Sequence, residues 1–118
     1  GTERIDQVAA LPGHLAGVLA PLFRFFADNY ISRHEHMTGA PLHDPCAVLA
    51  VTHPELFTRT ARHVTIETRG EHTVGATVID RRRMHDHEPP NCDVLESIDA
   101  DLAWKVVLGA IADASART

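Results

Sequence analysis

The stretch Gly39-Ala40-Pro41-Leu42-His43-Asp44-Pro45-Cys46-Ala47-Val48, followed by His53-Pro54-Glu55-Leu56-Phe57, decides how the rest of the chain is read. Asp44 is a good helix N-cap, because its carboxylate can accept from the orphan amides of a first turn. Pro45 suits the first helical position, where no amide hydrogen is needed and φ is already set. The apolar run Cys46 to Val51 then predicts a helix to about His53. Because that run is apolar nearly all round, the helix is expected to be buried. His43 and Asp44 would then stand at the mouth of a buried element.

Upstream, Arg33 to Pro41 is polar, contains Gly39 and reads as a loop. Before it, Leu15, Leu19, Leu22, Phe23, Phe26 and Tyr30 recur at helical spacing and predict one buried face. Pro21 lies inside that pattern, where it removes one hydrogen bond at a cost of roughly 3 kcal/mol, so a kink or break is expected there. Thr2 is the expected cap of a first short helix from Glu3 to about Leu11, ended by Pro12 and Gly13.

Downstream, the period changes to two. Val64 and Ile66 form one strand, Arg69-Gly70-Glu71 a turn, and Val74, Ala76 and Val78 a second strand of a hairpin. Asp80 to Asn91 is a polar connector, and Val94, Glu96 and Ile98 predict a third strand. A last amphipathic helix starts near Asp99 and carries Trp104, Val107, Leu108 and Ile111 on one face. The chain alone therefore reads as α+β, with about four helices and a small, mainly antiparallel sheet of three strands.

Composition narrows function. The chain has 118 residues, enough for one domain or part of one. Sixteen acidic residues against eleven basic ones give a formal charge of −5, which argues against nucleic acid as a partner. Ala47 to Val51 and Val106 to Ile111, the longest apolar stretches, fall well short of the ~20 residues of a membrane helix. No secretory signal is visible, so the cytoplasm is the expected compartment, with Cys46 and Cys92 as reduced thiols.

His43 and Asp44 are the most informative chemical pair. A carboxylate supplies hard oxygen to a cation such as Ca²⁺ or Mg²⁺, and an imidazole can protonate a leaving group near neutral pH. On these grounds alone, helix capping beside an incidental histidine is the more economical reading. The context reverses that preference. The block Gly39 to Val48 with the downstream His53-Pro54-Glu55-Leu56-Phe57 resembles the C-terminal signature of the inosine-uridine nucleoside hydrolase family. Gly75-Ala76-Thr77-Val78-Ile79-Asp80 looks like the strand after that family's hairpin. Asn91 to Val94, Ile98, Asp99 and the Trp104 helix look like its final strand and helix.

The resemblance implies an α/β nucleoside hydrolase fold for the parent, with residues 1–118 forming the C-terminal portion of a single domain. It implies an enzyme that hydrolyses ribonucleosides to base and ribose, using a calcium-activated water and an oxocarbenium-like transition state. Asp44 matches the family's C-terminal calcium ligand, and His43 the histidine that protonates the departing base. Phe26 and Tyr30 resemble an aromatic pair that closes over the base. The family's Asp-x-Asp-Pro-Gly-x-Asp-Asp segment, which supplies most calcium ligands and the water-activating base, has no counterpart here. The chain alone is therefore expected to be inactive, to hold no calcium tightly, and to associate as a homo-oligomer through the helix faces of Leu15 to Tyr30 and Trp104 to Ile111.

The competing class is a small metal-binding or interaction module. Nine histidines include the pairs His34 with His36 and His85 with His87, and imidazole suits Zn²⁺ or Ni²⁺. A closed zinc site needs four ligands at characteristic spacing, which the sequence lacks. The acidic clusters, Asp86 with Glu88 and Asp99 with Asp101, lack the pattern of that Asp-rich segment, and the run Arg81-Arg82-Arg83 reads as exposed loop charge.

Overall fold

A computed structural model describes residues 1–34, 36–82 and 88–117, which form two compact units. One unit comprises Gly1–Pro54 with Asp99–Thr118, and the other Glu55–Ile98.

The first unit is helical: α1 (Thr2–Ala9), α2 (His14–Arg33), α3 (Asp44–Thr52) and α4 (Ala100–Ser115). Helix α1 begins one residue earlier than its sequence predicts, since Gly1 rather than Thr2 is the N-cap. Its buried Ile5 and Val8 lie three apart on one face. Helix α2 runs through Pro21 without ending, contrary to a break there. The proline forfeits one bond in a helix of 20 residues, and packing against α1 and α4 offsets that loss.

Burial on α2 also departs from the predicted stripe. Ala16, Ala20 and Ala27 are buried, whereas Leu22 and Phe26 are exposed and Leu15, Leu19, Phe23 and Tyr30 are intermediate. Small side chains let neighbouring helices approach closely, and the larger residues then flank the contact instead of filling it. Helix α3 is the larger correction: only Leu49 is buried, while Val48 and Val51 are 63% and 82% exposed. An all-round apolar helix needs cover on every side, and among the described residues α3 is covered on one.

A polar clasp joins the start of α2 to the end of α4. Ser115, 2% exposed, donates from Oγ to the Pro12 carbonyl at 2.7 Å and accepts from the Ala16 amide at 3.2 Å. Gly13, between them, has φ of 100°, and a Cβ there would strike the Ser115 carbonyl and hydroxyl. Helix α4 starts as its sequence predicts: the Asp99 carboxylate accepts from the Asp101 and Leu102 amides at 3.2 and 3.0 Å. Trp104 Nε1 donates to Gln7 Oε1 on α1, and Arg4 lies over the indole.

The second unit begins with a 3₁₀ turn, Pro54 of the first unit leading into Glu55 and Leu56, and contains four strands in two antiparallel pairs where one three-stranded sheet is predicted. Strand β1 (Phe57–Arg62) pairs with β4 (Cys92–Ile98), and β2 (Val64–Ile66) with β3 (Thr77–Ile79). The predicted hairpin is β2–β3, with Val64 opposite Ile79 and Ile66 opposite Thr77. Its connection is longer than a tight turn: the Gly75 amide donates to the Glu67 carbonyl at 2.7 Å, and the Gly75 φ of 88° favours glycine at that reversal.

The unpredicted strand is β1. It carries Thr58, Arg59, Thr60 and Arg62, so no apolar alternation announces it. A bulge after Thr58 leaves Glu96 as the extra residue of β4, facing Arg62 at 3.8 Å and Arg81 at 3.4 Å. At the single residue between β1 and β2 the ladder changes partner. Asn91 serves both sides: its backbone amide donates to the Arg62 carbonyl at 3.0 Å. Its side-chain amide exchanges a reciprocal pair with Val64, at 2.8 and 2.9 Å.

Candidate active site

Helix α3 positions the two residues of greatest chemical interest, though in shifted roles. His43 is the N-cap and Asp44 the first helical residue, with Pro45 immediately after it. Asp44 is thus not the cap its sequence predicts. Among the described residues no hydrogen bond or ion pair engages its carboxylate. Both side chains are exposed. A carboxylate left free at a helix N-terminus is favoured by the helix dipole and available to an external cation.

Phe26 and Tyr30 are brought together on α2, with ring centroids 6.2 Å apart at 45°. Among the described residues, no hydrogen bond or ring contact joins this aromatic pair to His43 or Asp44. Sequence reading missed a third member of the row. The His34 imidazole stacks on the Tyr30 phenol at 4.2 Å and 6°, and its Nδ1 lies 3.0 Å from the Tyr30 carbonyl. The signal was present as three rings spaced four apart, Phe26, Tyr30 and His34.

The remaining charged candidates resolve into structural partnerships. Asp99 caps α4, and Asp101 pairs with Arg4 at 2.9 Å. Arg82 clamps Asp80 with two nitrogens, a contact that holds its guanidinium pKa above the ordinary value. His85, His87, Asp86 and Arg83 lie outside the described residues. Among the described residues no three of His, Cys, Asp and Glu gather into a metal site. Calcium takes 6–8 oxygen ligands, more than the single unengaged carboxylate of Asp44 could supply. Cys46 and Cys92 are both free thiols. Among the described residues no helix is long and apolar enough to cross a membrane.

A family model described as inosine-uridine preferring nucleoside hydrolase matches residues 1–105. The pyrimidine-specific ribonucleoside hydrolase RihA of Shewanella woodyi is 41% identical over 97 residues, which cover 82% of this chain and 31% of that protein. RihA of Photobacterium profundum is 38% identical over 97 residues, with the same shares of 82% and 31%. Among solved structures, the purine-preferring ribonucleoside hydrolase from Gardnerella vaginalis superposes with a TM-score of 0.83 at 23% identity. That match covers 99% of this chain and 36% of the other, and it establishes an α/β nucleoside hydrolase likeness of fold. The chain spans about a third of the length of the curated relatives it matches.

Proposed function

The chain belongs to the inosine-uridine preferring nucleoside hydrolase family, and we propose that it is the C-terminal portion of an enzyme that hydrolyses the N-glycosidic bond of ribonucleosides. The observation that carries this reading is the start of α3, where His43 and Asp44 stand adjacent, exposed, and with the carboxylate unengaged among the described residues.

Each group then has a task its chemistry suits. His43 donates a proton to the departing base, which would otherwise leave as an anion; an imidazole titrates in the range that such a transfer needs. Asp44 contributes oxygen to a calcium ion whose other ligands come from the remainder of the domain. When bound, that ion supplies a Lewis-acidic centre that lowers the pKa of a coordinated water. Phe26 and Tyr30 offer aromatic surface against which a planar base can stack. The substrate is a small-molecule ribonucleoside. Pyrimidine ribosides are the first to test, because RihA relatives at 41% and 38% identity carry that specificity in their names.

Association with a second copy belongs to the same proposal. Val18, Leu22 and Phe25 on α2 and Leu102 on α4 are exposed apolar side chains on the helices expected to associate.

Base release from uridine and inosine tests the reading. The purified chain is expected to give none above a matched blank, and the protein extended through its upstream reading frame is expected to turn over. Release by the chain alone would refute its incompleteness, and an inert extended protein would refute the hydrolase reading.

A further inference from the structure

We propose that His34 is a positioning residue for Tyr30, fixing the phenol ring by a face-to-face stack that is itself anchored on the end of α2. The proposal rests on the reading that Tyr30 faces the base, and it restricts how that can happen.

Two restraints define the imidazole. Its plane lies 6° from that of the phenol with centroids 4.2 Å apart, and its Nδ1 is 3.0 Å from the Tyr30 carbonyl. A carbonyl oxygen can only accept, so Nδ1 carries the hydrogen and Nε2 points away from the helix backbone. The same residue ends the helix. With φ of −135° and ψ of 89°, His34 leaves helical geometry while its backbone amide still donates to the Ile31 carbonyl at 3.2 Å. One residue thereby satisfies two of the last carbonyls of α2, which have no partner within the helix. Its ring is folded back over Tyr30 by the bond that caps the helix.

This arrangement changes what Tyr30 can do. A tyrosine on an exposed helix end samples several rotamers, and ordering it on binding reduces affinity. Here Phe26 lies 6.2 Å away along the helix and the imidazole covers one face, so the ring is held before any ligand arrives. With that face taken, a nucleobase can meet Tyr30 only at its other face or at the hydroxyl edge. His34 therefore both orders the aromatic pair and removes one of its stacking surfaces.

Tyr30 is the only tyrosine in the chain, so its ring resonances can be read without ambiguity in protein labelled at tyrosine. In the wild type the imidazole ring current should shift them upfield. His34→Ala should return them towards free tyrosine, and His34→Phe, which keeps a ring but has no nitrogen to bond the Tyr30 carbonyl, should restore the shift only in part. Identical Tyr30 resonances in wild type and His34→Ala would overturn the proposal. The Trp104 indole proton, bonded to Gln7 on α1, reports folding in every variant. If His34→Ala loses that signal, His34→Gln, which retains an amide donor for the Tyr30 carbonyl but no ring, takes its place with the same expected outcome.

Titration with uracil and hypoxanthine separates this proposal from the reading it rests on. Bases that bind should do so about two- to tenfold more weakly in His34→Ala, with His34→Phe between it and the wild type. If neither base moves Tyr30 while the stack responds to the variants as above, the positioning role stands and the base-facing role falls. If bases move Tyr30 but His34→Ala changes neither its resonances nor the affinity, the positioning role falls alone.

Discussion

Replacing Ser115 by alanine should be the most destabilising single-atom change in the helical unit, and the clasp gives its size. The hydroxyl donates to the Pro12 carbonyl and accepts from the Ala16 amide in a site where the residue is 2% exposed, so water cannot take its place. The Ala16 amide lies in the first turn of α2, where no helical partner exists for it. Leaving the buried Ala16 amide unsatisfied costs about 1–3 kcal/mol, and the part-buried Pro12 carbonyl, which loses one hydrogen bond, adds about 1 kcal/mol. A total of about 2–4 kcal/mol is expected. For a chain of this size each kcal/mol lowers Tm by roughly 4 °C, so Ser115→Ala should melt about 8–16 °C below the wild type by far-UV circular dichroism. Ser32→Ala is the matched control, since its hydroxyl bonds the Asn29 carbonyl at 2.9 Å in an exposed setting and its loss should change stability by under about 0.5 kcal/mol. Gly13→Ala approaches the same site from the other side, adding about 1–2 kcal/mol of left-handed strain to a collision with Ser115. If Ser115→Ala melts with the control, the clasp contributes nothing and the reasoning is wrong.

Three further outcomes are expected. The Glu67 carboxylate accepts from the Arg69 and Gly70 amides at 2.8 and 3.1 Å, which lowers its pKa from the ordinary 4.5. That support is present above the ordinary value and is lost as pH falls through the lowered one, so protection of the Arg69 and Gly70 amides, taken relative to intrinsic exchange at each pH, should fall only below about pH 4.5 and lose this pH dependence in Glu67→Gln. In the extended enzyme, Asp44→Ala should weaken calcium binding and nearly abolish turnover, while His43→Ala should slow inosine more than a nitrophenyl riboside, whose leaving group needs little proton help; equal losses would remove His43 as the acid. Light scattering after size exclusion should find the chain larger than a monomer at tens of micromolar, and a cooperatively melting species of 12.9 kDa would contradict association.

What the sequence disclosed follows from how local each signal is. The starts of α3 and α4 were legible because caps and first-turn prolines act within four residues, although which of His43 and Asp44 caps α3 depends on backbone angles that the pair of letters does not contain. The β2–β3 hairpin was legible from Val64, Ile66 and Val78. Strand β1 was not, because its pairing with β4 is decided by residues some thirty positions away and its own Thr-Arg pattern carries no apolar period. The α2 contact was misread for a related reason. Period analysis weights large apolar side chains, whereas Ala16, Ala20 and Ala27 mark the close approach. At the site, His43 and Asp44 were found through their motif, and His34 was overlooked because a histidine beside another histidine suggests metal before it suggests a stacked ring.

Asn91 has a mechanical consequence. A strand that changes partner at one residue would ordinarily make a swivel, because each half could rotate with its own ladder. Here a single side chain and its own backbone amide grip both halves, Arg62 on one side and Val64 on the other. These three bonds oppose rotation of one half against the other, so they couple the orientation of the β2–β3 hairpin to that of β1 and β4.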